Sequence, residues 1–216
     1  MIKKLLKKMF PKYALHRSAQ SLLVNNNSYL HETGWMRSLE EGKPVDKEGR
    51  AIPWMNYAVI SFLKERLQKD MRLFEFGSGY STFFYSELVK SVTSVEFDKE
   101  WLSTVEKNVS TNVKLVYQKE DNDGNYCRVV RSSGTEYDMI IVDGRDRLNC
   151  VRQSLQALSE KGVIILDDSH RKRYQVCIKE VKKSGFLALD FEGLKPTGNE
   201  IDRTTVFYRR NNCLNI

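Results

Sequence analysis

The segment Arg72-Leu-Phe-Glu-Phe-Gly-Ser-Gly-Tyr-Ser-Thr82 constrains this chain more than any other. A short apolar strand, residues 72–76, runs straight into Gly77-Ser78-Gly79, and a helical stretch begins at about Ser81. Glycine lacks a Cβ atom, so Gly77 and Gly79 let the chain turn tightly and let a ligand approach the backbone. A glycine pair at a strand-to-helix junction is the turn at which open α/β sheets hold nucleotides.

The chain downstream alternates between strand and helix in the way such a sheet requires. Strands are predicted over 72–76, 91–97, 113–117, 137–143 and 162–167, with helices over 81–89, 99–108, 149–159 and 171–183. The runs Met-Ile-Ile-Val142 and Val-Ile-Ile-Leu166 are continuously apolar, as in strands buried on both faces. Residues 185–192 and 204–210 alternate as antiparallel strands do. The expected fold is α/β: a Rossmann-like, doubly wound, mostly parallel sheet with an antiparallel C-terminal strand. Residues 51–216 form that domain and 1–50 an N-terminal extension or cap, with loops at 25–27 and 42–49. Ligands in such sheets bind at the carboxyl ends of the strands, so the residues after Phe76, Phe97, Val142 and Leu166 matter most.

Two cofactors compete for the loop. Glu96 ends the second strand, where a carboxylate accepts hydrogen bonds from ribose hydroxyls, as in dinucleotide sites. Thr82, however, stands where a third glycine would let helix and strand pack closely beside a pyrophosphate. S-adenosylmethionine has no phosphate, and Glu75 can meet its ammonium group. Glu75-x-Gly-x-Gly79 followed by Val95-Glu-Phe-Asp98 resembles motif I and the acidic post-I motif of class I S-adenosylmethionine-dependent methyltransferases. The resemblance covers about residues 55–210. It implies cofactor binding by Glu75, Gly77, Gly79 and Glu96, with Ser78 inside the loop and Asp143 bordering the cofactor.

Acidic residues gather at the next strand exits: Asp143 after the fourth strand, Asp167 and Asp168 after the fifth. Neighbouring strands lie about 4.8 Å apart, so these carboxylates converge, and they repel unless cations or protons intervene. An oxygen-rich set suits Mg²⁺ or another divalent cation. The pattern is similar to catechol O-methyltransferases, which implies a metal on Asp143, Asp167 and Asp168 that activates an acceptor hydroxyl. Asp168 stands where that family has asparagine, and Asp146 falls near its catalytic lysine. Asp168 or Ser169 equally suits a helix N-cap. Without metal, Asp143 and His170 are the candidate catalytic groups, His170 being the histidine of this rim.

The acceptor is the least legible part. Arg145, Arg147, Arg171 and Arg173 are expected around the pocket mouth, favouring an anionic acceptor. Trp54 and Tyr57 precede the core and are expected as an aromatic cap. No Asn/Asp-Pro-Pro-Tyr motif follows the fourth strand, which argues against amino methylation of nucleic-acid bases. Similarity to small bacterial methyltransferases points to a small-molecule or saccharide acceptor and bacterial origin. The alternatives are an NAD-dependent oxidoreductase and a non-catalytic membrane- or RNA-associated Rossmann protein.

Net charge is +7, with six Lys and Arg residues in the first seventeen positions. Ile2, Leu5, Leu6, Met9 and Phe10 recur at near-helical spacing among them, a pattern suited to peripheral contact with an anionic membrane. No apolar run reaches the about 20 residues that span a bilayer, and no secretory signal is evident, so a cytoplasmic protein is expected. Cys127, Cys150, Cys177 and Cys213 are too scattered for a zinc or redox motif.

Overall fold

The computed structural model describes residues 11–216. Its centre is a seven-stranded sheet of order β3-β2-β1-β4-β5-β7-β6. The strands are β1 (Arg72–Phe76), β2 (Ser91–Glu96), β3 (Val113–Tyr117), β4 (Tyr137–Val142), β5 (Leu158–Leu166), β6 (Leu187–Gly193) and β7 (Asp202–Tyr208). Strands β1 to β5 pair in parallel, and β7 runs antiparallel to both β5 and β6. Among the described residues, no helix is long and apolar enough to cross a membrane.

The parallel strands bury both faces, which is why their sequences read as unbroken apolar runs. Phe74, Phe76, Ile140, Val142, Ile164 and Leu166 face one core. Leu73, Met139, Ile141, Val163 and Ile165 face the other. Helices cover both faces: α4 (Tyr57–Arg66), α5 (Tyr80–Ser86), α6 (Lys99–Glu106), α7 (Asn125–Ser132), α8 (Arg147–Ser154) and α9 (Gln175–Lys183). Asn56 caps α4 by accepting from the Val59 amide at 3.0 Å, and Asp98 caps α6 through the amides of Glu100 and Trp101.

Two departures from expectation have local causes. The β3–β4 crossover contains α7, where no helix is predicted; Tyr126, Cys127 and Val130 bury its inner face. The helix expected over 149–159 ends at Ser154, and β5 begins early at Leu158. Its pairing jumps from Tyr137↔Leu158 to Met139↔Val163, so residues 159–162 form an irregularity in the strand. Gly162 permits it, because a Cβ there would lie 2.8 Å from the Tyr137 carbonyl.

The N-terminal part holds α1 (Pro11–Val24), α2 (Tyr29–Glu32) and α3 (Trp35–Glu41). It meets the β6–β7 loop, where Trp35 Nε1 donates to the Gly198 carbonyl at 2.7 Å and Trp54 Nε1 to that of Pro196 at 2.8 Å. The basic apolar repeat of Ile2 to Phe10 lies outside the described residues.

Candidate active site

The chain order of the sheet reverses at β1, which lies between β2 and β4, so a crevice opens above their carboxyl ends. Phe76 pairs in register with Val95 and Val142, and Val142 with Leu166. Gly77, Glu96, Asp143 and Asp167 therefore emerge along one edge. A cleft of about 380 Å³ sits there, and Glu75, Gly77, Ser78, Glu96 and Asp143 all line it.

The glycine loop is tied down by its own neighbours. Gly77 N donates to the Val95 carbonyl at 2.9 Å, Ser78 N to Glu96 Oε2 at 3.0 Å, and Gly79 N to Thr82 Oγ1 at 2.9 Å. Gly77 and Gly79 have φ values of 100° and 142°, a region that favours glycine. Behind Gly79 stands Trp101, whose ring would lie 3.0 Å from an added Cβ and whose Nε1 donates to the Ser78 carbonyl at 2.8 Å. Sequence reasoning missed Trp101 as a wall of the cleft; its place in the first turn after Glu96 and Asp98 was the available signal.

Two carboxylates flank the loop. Glu96 is buried and accepts from four donors: Ser78 N and Oγ on Oε2, and the amides of Phe97 and Asp98 on Oε1. Glu75 is buried and accepts from the hydroxyls of Ser81 (2.9 Å), Ser94 (2.6 Å) and Thr82. Burial pushes its carboxyl up to about 7, against the pull of those hydroxyls and with some help from the Asp143 charge. Thr82, at the position of the missing third glycine, joins Gly79 to Glu75 through one hydroxyl.

Beside the cleft, Asp143, Asp167 and Asp168 place oxygens within 4.8 Å of one another. The cation between them is Arg147. Its Nη2 donates to Asp143 Oδ1 at 2.7 Å, its Nη1 to the Asp167 carbonyl at 2.7 Å, and Asp168 Oδ2 lies 3.2 Å away. Asp168 also pairs with Arg171 at 2.7 Å and Lys195 at 3.3 Å, and Thr204 donates to Asp167 Oδ1 at 2.6 Å. Desolvation raises the carboxyl of Asp143 although Arg147 opposes it, and burial raises Asp167 further beside the charges of Asp143 and Asp202. Asp168 is held low despite its burial by Arg147, Lys195 and Arg171. Protein cations and a hydroxyl thus occupy Oδ1 of Asp143, Oδ1 of Asp167 and both oxygens of Asp168, so a divalent cation held by all three residues would have to displace the cations paired with Asp168. Mg²⁺ or EDTA is accordingly expected to move the melting temperature by under about 1 °C. A rise of several degrees with Mg²⁺ would restore the metal reading.

Other expected residues fall elsewhere. His170 is 42% exposed at its side chain, with Nδ1 3.5 Å from Asp202 Oδ1, and does not line the cleft. Asp146 is structural: it accepts from the Asp123 amide and Asn149 Nδ2 at the start of α8. The aromatic cap is corrected. Trp54 lies on the β6–β7 loop and Tyr57 in the core, so it is Met55, between them, that reaches the cleft.

The sequence matches no family profile and no curated protein. Solved structures do match. A precorrin-6y C5,15-methyltransferase from Geobacter metallireducens GS-15 superposes with a TM-score of 0.57 at 15% identity, over 79% of this chain and 96% of that one. The chain has a Rossmann-like methyltransferase fold. An rRNA methylase from Streptococcus thermophilus gives 0.53 at 16% identity, over 70% and 96%. A protein from Streptococcus mutans in complex with SAH gives 0.52 at 14%, over 68% and 94%. At these identities the likeness is one of fold.

Proposed function

We propose that the cleft binds S-adenosylmethionine and that the protein methylates a hydroxyl of a small-molecule or saccharide acceptor. The observation that carries this reading is the state of the loop amides. A dinucleotide's pyrophosphate needs free N–H donors at such a turn, and those of Gly77, Ser78 and Gly79 are already satisfied internally. Charge supports it too: Glu75, Glu96, Asp98 and Asp143 outnumber Arg145 and Arg147 around the cleft, which favours a sulfonium over a pyrophosphate. The Streptococcus mutans neighbour, with SAH bound, is consistent with such a ligand.

In this reading Glu96 takes a ribose hydroxyl in place of the Ser78 hydroxyl, and Glu75 meets the ammonium group. Asp143 borders the methyl group and serves as general base, since desolvation makes its carboxylate more basic than usual. The acceptor oxygen attacks the methyl carbon, the carbon–sulfur bond breaks, and the hydroxyl proton passes to Asp143. A neighbouring cavity of about 510 Å³ shares Gly144, Arg145 and Arg147 with the cleft and adds Arg171, Arg173 and Tyr174. Glu120, Asp121 and Asp146 line it as well, and Glu120 pairs with Arg145; Arg173, stacked on Tyr174 at 4.8 Å, is among the described residues the cation left to suit an acceptor bearing an anionic group.

Calorimetric titration with S-adenosylhomocysteine and with NAD tests the reading. The homocysteine ligand is expected to bind and NAD not to. Glu75 adds a pH signature. The ammonium stabilises its ionised form, whereas the free protein holds the proton below about 7. Affinity should therefore fall as pH drops below 7, by up to about tenfold per unit, with proton release on binding. Tight NAD binding, or affinity flat from pH 5.5 to 8 (roughly the window around that pKa), would sink it.

A further inference from the structure

The strongest feature the cleft does not use is α1. Leu15, Ala19 and Leu22 share one face of this helix by their spacing, with Leu23 beside them. Leu15, Leu22, Leu23 and Val24 are 71%, 49%, 50% and 67% exposed. The helix end is tied to the short helix α2 that follows it: Ser28 Oγ donates to the Leu22 carbonyl at 2.7 Å, and His31 Nε2 lies 2.8 Å from that of Leu23. An aliphatic stripe on a tethered helix calls for a covering apolar phase.

Charge decides which one. The first acidic residue of the chain is Glu32; before it stand Lys3, Lys4, Lys7, Lys8, Lys12 and Arg17. Residues 1–10 contribute here through their sequence alone. A second copy of the same surface would bring like charges together. Nucleic acid would match the charge but offers nothing to aliphatic side chains, and the stripe has no aromatic rings for stacking bases. An anionic lipid surface satisfies both halves, with headgroups for the lysines and acyl chains for the leucines.

We infer that α1 is a peripheral membrane-binding helix that docks this protein on anionic bilayers, through Leu15, Leu22 and Leu23 with Lys12 and Arg17 of the same helix. This inference is independent of methyl transfer.

Sedimentation of the full chain with vesicles tests it. Phosphatidylcholine vesicles containing phosphatidylglycerol are expected to carry the protein down, and pure phosphatidylcholine vesicles at least tenfold less. Half-molar salt should release it, since about 0.5 M screens charges beyond a few ångströms. The double variant Leu22→Glu, Leu23→Glu should lose at least tenfold in vesicle binding. Its melting temperature should stay at the native value, because both side chains are exposed. Three results would overturn the inference: no sedimentation with anionic vesicles, tighter binding to polyuridylate than to vesicles, or a solution dimer that the double variant dissociates.

Discussion

Replacing Arg147 by methionine is expected to lower the melting temperature by roughly 10 °C at pH 8, the largest stability loss for one substitution in the site. The side chain is 11% exposed and balances Asp143 and Asp168 at once, while its donors also satisfy the carbonyls of Gly144, Asp143 and Asp167. Methionine keeps the volume and removes the charge. Two carboxylates are then left beside Asp167 with one cation fewer, which costs about 3–5 kcal/mol for a buried pair broken from one side. The sign with pH follows from the carboxyls. Asp143 is already raised with Arg147 present and rises further without it, so the variant's folded state takes up protons more readily than the native one. The deficit should shrink as pH falls from 8 towards 5. Thermal melts at both pH values check this; a loss under about 2 °C at pH 8 would mean that Lys195 and Arg171 alone balance the cluster.

Glu96→Ala is expected to weaken S-adenosylhomocysteine binding at least about tenfold, as the charge-assisted hydrogen bond to ribose contributes about 1.5–3 kcal/mol. The conservative change does little better. Four donors converge on the Glu96 carboxylate from Ser78, Phe97 and Asp98, so either orientation of a glutamine amide points its NH₂ at other donors. Glu96→Gln should thus lose most of the affinity and some stability, because the amides at the end of β2 lose an acceptor. Titration of both variants, with melting curves as the folding control, measures this. Affinity within threefold of native for Glu96→Gln would remove Glu96 from the cofactor site.

Much of this site was legible before the fold was known, for a local reason. Glu75 and Glu96 lie in the last residues of apolar strands and Gly77 and Gly79 just beyond one, so strand ends and glycine positions place them without distant information. Thr82 was noticed as a missing glycine; only the structure gives its hydroxyl a task, joining the Gly79 amide to Glu75. No helix is predicted over α7 because it is two turns long, opens at a glycine with its cap supplied by Asp121 three residues earlier, and buries three residues of mixed chemistry. Met55 was overlooked beside the more conspicuous Trp54 and Tyr57, because which residue of the 54–57 stretch faces the cleft depends on how the chain enters α4.

The sequence by itself determined the alternating α/β order, the glycine loop and the convergence of acidic strand exits, all consequences of periodicity and short-range turn chemistry. The tertiary structure alone decided what neutralises those acids. Lys195 comes from the β6–β7 loop and Thr204 from β7, more than thirty-five residues from Asp143 along the chain, and Arg147 reaches back across the turn that Asp143 begins. Charge compensation acts through space, so the row of aspartates that the sequence brings together is, in the folded protein, tied into an ion-pair network built around an arginine.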